Sequence, residues 1–258
     1  MLRDFGPARF GAVVLLAAWL PLTILHELGH ALMARAFGWR VIEISVGIGR
    51  RVAHFQVGET QVDLRLWPLA GHVLPVPRSV EGARLASTCI YLAGPGIELA
   101  VIAAIAVVMG PGELLSAQPG YLGVAAQAVC VAALWGAGFN LLPFTTPAGQ
   151  WTDGAGALRS PFMPDAHFER MMAAPAVKAA ERDLAAGRPA AAVDALTPLM
   201  VRHPEAVDLQ ITYALALDAA GEREAALVHL TACRREAEGA AAALYDAALA
   251  RVRLAHGR

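Results

Sequence analysis

At 258 residues, with 57% hydrophobic and 17% charged side chains, the chain is too apolar for an ordinary soluble protein and too charged to lie in a membrane throughout. A net charge of -1, with no Lys/Arg cluster interleaved with aromatics, gives no sign of nucleic-acid binding, so no nucleic acid is expected as a partner. Residues 1–158 carry 9 Lys/Arg and 9 Asp/Glu, whereas the shorter stretch 159–258 carries 12 and 13, so a membrane part followed by a soluble part is expected.

The first element is the apolar run 10–34, in which Glu27 is the one formally charged side chain. About 20 helical residues cross ~30 Å of hydrocarbon, so this run is long enough to span. Inside it stands His26-Glu27-Leu28-Gly29-His30. Residues four apart share a helix face, so the two imidazoles can converge on one metal ion with Glu27 beside them, a geometry that suits zinc with a carboxylate base for its bound water. Ionisable groups at bilayer depth are costly and face a cavity or a partner, which argues against two unrelated histidines. A signal peptide over residues 1–25, flanked by Arg3 and Arg9, is the competing reading; no good Ala-x-Ala cleavage site precedes the motif.

The connection that follows contains Arg35, Arg40, Arg50, Arg51, Arg65, Arg78 and Arg84 in it or at its edges. Ile42, Ile44, Val46 and Ile48 alternate with other residues, and Val62, Leu64 and Leu66 alternate with Asp63 and Arg65. That period of two, with Gly58-Glu59 between, predicts a small antiparallel sheet. Residues 67–75 are apolar but broken by Pro68, Gly71 and Pro75, and read as a re-entrant loop at the membrane surface. Two more runs are long enough to span, 85–109 and about 121–142. The second connection, 110–120, holds no Lys or Arg, so the positive-inside rule puts the first connection in the cytoplasm, the N-terminus outside and the C-terminal region in the cytoplasm.

Two histidines leave zinc short of a third protein ligand. Asp153, in Thr152-Asp153-Gly154 after the third run, is the best candidate; an Asp-Gly pair is also a turn signature, and the residues alone leave both readings open. Cys89, Cys130 and Cys233 form no Cys-x-x-Cys and no even framework, and read as structural, reduced thiols.

Taken together, the His-Glu-x-x-His motif in a first membrane helix, Gly47-Ile48-Gly49 in the strand region, Ala93-Gly94-Pro95 in the second helix, and Asn140-Leu141-Leu142-Pro143 followed by Asp153-Gly154 resemble the site-2 protease family of intramembrane zinc metalloproteases. The resemblance covers about residues 10–158. It implies that His26, His30 and Asp153 bind zinc, that Glu27 is the general base and proton shuttle, and that Asn140 helps to hold the substrate segment or the oxyanion. It further implies a membrane protein as substrate, cut in its transmembrane segment, and a sheet edge to which the unwound substrate adds, supplied by residues 42–48 or 62–66. Residues 67–75 resemble the loop that rims the family's active site, where His72 reads as a surface histidine rather than a ligand. Three departures stand out. Thr152 replaces the usual Leu, residues 144–151, with Pro147 and Gly149, form an insertion, and Glu98 stands where the family often has Asn. Glu98 is expected either to line a water path to the metal or to make a hydrogen bond between helices.

Beyond Arg159, the proline-bearing stretch up to Pro175 reads as a linker. An offset of 34 residues then aligns Val177 with Ile211, Ala180 with Ala214 and Ala248, Gly187 with Gly221, Ala191-Ala192 with Ala225-Ala226, and Leu196-Thr197 with Leu230-Thr231. The period resembles tetratricopeptide repeats, with a plain Ala-rich helical bundle as the alternative.

The expected fold is therefore a mainly α, multi-pass cell-membrane protein embedded in the lipid bilayer. A three-transmembrane-helix metalloprotease core with a small β-sheet insertion occupies 1–158, a linker 159–175, and a cytoplasmic tetratricopeptide-like helical domain 176–258. The last is expected to recruit a substrate tail, an adaptor or a second copy of the chain. The alternative function is a non-proteolytic membrane binding protein that acts through the repeats on a protease-like scaffold. Zinc transport fits less well, because beyond Glu27 and Glu98 the spanning helices lack acidic residues.

Overall fold

A computed structural model describes residues 5–146 and 149–254; Pro147 of the expected insertion lies outside them. Two compact units result, Met1–Phe168 and Glu169–Arg258.

In the first unit, α1 (Phe5–Ala36), α2 (Ala83–Met109) and α4 (Tyr121–Leu141) are long and apolar enough to cross a membrane, as the composition predicts. They pack through small residues. Ala18 and Leu22 of α1 meet Ala132 and Ala133 of α4 in a buried seam, while Val13, Leu16 and Leu32 remain exposed for lipid. Gly29 brings α1 against α2, since a Cβ there would lie 2.6 Å from the Ala93 carbonyl oxygen. α1 ends at Gly38, whose φ of 76° suits glycine; the Trp39 N–H reaches back to the Ala34 carbonyl at 2.9 Å and closes the last turn. A short helix, α3 (Pro111–Leu115), joins α2 to α4.

The expected sheet is present as β1 (Arg40–Val57) and β2 (Thr60–Val76), antiparallel around a turn at Gly58. Both strands bend. Residues 43–46 of β1 pair with 61–64 on one side and 71–74 on the other, while residues 60–65 of β2 also pair with 51–57. The order across the sheet is thus 51–57, 60–65, 43–46, 71–74. Gly47, at φ 95°, permits the bend in β1, because a Cβ there would lie 2.8 Å from the Arg65 carbonyl oxygen.

Two expectations change. Residues 67–75 are not a loop but the continuation of β2, with Trp67 opposite Ile48 and Gly71 opposite Val46. Neither 42–48 nor 62–66 is an edge, since residues 43–46 and 61–64 are paired on both sides; the free edges are 51–57 and 71–76. Alternation located the strands, but their bending lets two chain segments form a sheet four runs wide.

The insertion before Asp153 is a closed loop. Thr145 and Trp151 form an antiparallel bridge, and the Thr152 hydroxyl donates to the Leu142 carbonyl at 2.6 Å. Thr152 also caps α5 (Asp153–Arg159), accepting from the Ala155 N–H at 3.4 Å. Gly154 and Gly156 let this helix approach its neighbours closely: a Cβ on the first would strike the Leu141 carbonyl, and on the second the Tyr91 ring.

The stretch read as a linker is helical instead, with a 3-10 turn at Ser160–Phe162 and α6 (Asp165–Ala185) running through Pro175. In the second unit follow α7 (Pro189–Arg202), α8 (Val207–Ala219), α9 (Arg223–Glu236) and α10 (Gly239–Leu254). The 34-residue spacing recurs in burial: Ala180 and Ala214, Ala192 and Ala226, and Leu196 and Leu230 are all fully buried. It recurs in the backbone too. Gly187 and Gly221 both have positive φ, and the residue after each donates back to Asp183 or Leu217.

Candidate metal centre

Helical spacing puts His26 and His30 one turn apart on α1, with ring centroids 4.8 Å apart and both residues buried. Asp153, the first residue of α5, reaches both. Its Oδ2 lies 3.0 Å from His26 Nε2 and its Oδ1 3.4 Å from His30 Nε2. One ligand atom from each residue falls within 4.8 Å of the others. Zinc–nitrogen bonds of about 2.0–2.1 Å at tetrahedral angles separate ligands by roughly 3.3 Å, so the donor set fits such an ion in type and spacing. Burial pushes the Asp153 carboxyl up, but hydrogen bonds and charge from His26 and His30 outweigh it and hold the group below the usual carboxylate range.

The space around the donors is shaped as well. Gly94 of α2 faces both Nε2 atoms, and a Cβ there would overlap them. Glu27 is 4% exposed, and its Oε2 has no hydrogen-bond partner among the described residues. A buried carboxylate oxygen with no protein partner is costly to leave unsatisfied, which suits a group that meets water or substrate. Gly71 on the free edge of β2 packs on this side chain, since a Cβ there would lie 2.5 Å from Glu27 Oε1. The Thr23 hydroxyl reaches the Pro68 carbonyl at 3.3 Å and fastens β2 to α1 nearby.

Each histidine is also held from behind. His30 Nδ1 lies 2.6 Å from the Ile90 carbonyl oxygen, and His26 Nδ1 lies 3.1 Å from Glu98 Oε2. Of the two expectations for Glu98, the interhelical hydrogen bond is the one observed. The sequence carried a signal for it, a lone carboxylate one helical turn beyond Gly94, but not the identity of its partner. Asn140 is not brought to this cluster by a hydrogen bond; its Nδ2 donates to the Gly136 carbonyl of its own helix at 3.1 Å. His72 pairs with Glu43 on the sheet, Nε2 to Oε1 at 3.2 Å.

His26, Glu27 and His30 on one helix of membrane-spanning length, with Asp153 brought to them by the short helix α5, have the donor set and buried carboxylate of a metal-hydrolase centre. The model of peptidase family M50 matches residues 14–243, most of the chain, and the chain belongs to that family. Two clostridial proteins, each named "Putative zinc metalloprotease", are similar to it. That of Clostridium perfringens is 40% identical over 58 residues, 22% of this chain and 17% of its own length. That of Clostridium acetobutylicum is 28% identical over 113 residues, 40% of this chain and 33% of its own. The zinc metalloprotease RasP of Geobacillus kaustophilus is 42% identical over 52 residues, 20% of this chain and 12% of that one. The chain thus spans a third or less of the length of these relatives.

Proposed function

We propose that the chain is a zinc-dependent intramembrane endopeptidase that cuts a transmembrane segment of a membrane protein. The observation that carries this reading is the convergence of His26, His30 and Asp153 beside an unpaired Glu27 on a helix long and apolar enough to span. His26, His30 and Asp153 would hold the zinc, which when bound supplies Lewis acidity to a water and to the scissile carbonyl. Glu27 is placed to take the proton from the attacking water and return it to the leaving amine. Burial of the cluster excludes bulk water and strengthens each of these interactions. Asn140 would orient the substrate carbonyl through the amide N–H that its hydrogen bond to the Gly136 carbonyl leaves over.

A helical substrate hides its peptide bonds, so it must be drawn into extended form before it is cut. The free edge 71–76, which begins at the glycine packed on Glu27, is the edge to which it would add. The arginines of the first connection support a cytoplasmic sheet, an N-terminus outside and a cytoplasmic C-terminal unit. The second unit is read as a tetratricopeptide-like array, supported by the recurrence of buried Ala and Leu and left-handed Gly at 34-residue spacing. Such an array would recruit a substrate tail, an adaptor or another copy of the chain.

Metal removal tests the reading. Chelation of the purified chain is expected to abolish cleavage of a single-span substrate, and zinc to restore it. Cleavage that persists in the metal-free chain refutes it.

A further inference from the structure

Glu98 is a carboxyl group buried in a helix of membrane-spanning length, a costly placement unless the group is partnered. Its partner is His26. Oε2 lies 3.1 Å from Nδ1, on the far side of the ring from the Nε2 atom that faces Asp153. Oε1 points toward α4, where Gly136 leaves room for it; a Cβ at that position would lie 2.6 Å away. On α2, Glu98 follows Gly94 by one turn, so the same helix face that clears space for both imidazoles carries the group that holds one of them. The two histidines are therefore held differently, His30 by a backbone carbonyl and His26 by a carboxylate.

We infer that Glu98 is a positioning residue for the metal centre, fixing His26 in the Nδ1–H tautomer so that the Nε2 lone pair is directed at the ion. A neutral imidazole has one donor and one acceptor nitrogen, and the group that accepts from one nitrogen decides which is which. A carboxylate does this more firmly than a carbonyl, because the hydrogen bond is charge-assisted and the negative charge raises the basicity of the ligating nitrogen. It also offsets part of the ion's charge in a low-dielectric setting. A chain with no acceptor at this position should therefore hold zinc less tightly.

The inference rests on reading His26 as a zinc ligand, and the test separates the two. Zinc affinity of the full chain in detergent is measured by competition with a chromophoric chelator, and the cobalt-substituted chain is examined by visible absorption. Wild type, Glu98→Gln, Glu98→Ala and His26→Ala are compared. Glu98→Ala is expected to lose roughly 10–100-fold in affinity and to alter the cobalt spectrum. Glu98→Gln, whose amide oxygen still accepts from Nδ1, is expected to lose less and to keep the wild-type spectrum shape. Wild-type affinity in both Glu98 variants, with binding lost in His26→Ala, overturns the inference and leaves the metal reading standing. Equal losses in Gln and Ala also overturn it, because they assign the effect to something other than ring orientation. A wild-type chain that binds no zinc overturns the metal reading itself, and the inference with it.

Discussion

Glu27, His26 and His30 occupy a helix whose other residues are almost all suited to lipid, and each of the three is buried. What makes room for them is the absence of atoms elsewhere. Gly29 lets α1 touch the Ala93 carbonyl, Gly94 clears both Nε2 atoms, and Gly71 clears the Glu27 carboxylate. Gly94→Ala should therefore abolish zinc binding while helix content by circular dichroism stays at the wild-type level; retention of wild-type affinity would show that the imidazoles are not confined in this way. The motif on α1 was readable in the sequence because helical periodicity is local. Asp153 was not readable from spacing, since it lies 127 residues from His26 and only folding joins them. The same holds for Glu98, visible as an anomalous charge but not as a partner of His26.

At the scale of elements, the sheet and the insertion depart most from what the sequence indicated. Alternation marks strands but carries no information on which runs lie side by side. The bend at Gly47 and the continuation of β2 through residues 67–75 turn two strands into four paired runs and move the free edges to 51–57 and 71–76. This relocation has a checkable consequence. In a chain with Cys89, Cys130 and Cys233 replaced, Leu74→Cys should cross-link to a cysteine in a bound substrate segment, whereas Leu64→Cys, between two paired runs, should not. The reverse pattern would place substrate elsewhere on the sheet. Thr152 caps α5 and ties the insertion back to Leu142 and Phe144. An eight-residue excursion therefore need not displace Asp153. A closed loop adds length at small entropic cost when its two ends are already joined.

For the whole molecule, the three membrane-length helices lie in the unit Met1–Phe168, and the boundary to the unit Glu169–Arg258 falls inside α6. In the sequence, prolines at 161, 164 and 175 suggest irregular chain, yet much of this stretch is helical. Pro161 sits in the first turn of a short 3-10 helix, Pro164 precedes α6, and α6 continues through Pro175. All three candidate zinc ligands, Glu27 and both free sheet edges lie in the first unit. The most direct measurement is cleavage of a single-span membrane substrate by reconstituted wild-type chain and by Glu27→Gln. The account predicts that wild type cuts within the spanning segment, and that Glu27→Gln keeps its zinc but is slower by about 10²–10⁴-fold. Cleavage by Glu27→Gln at the wild-type rate would contradict it.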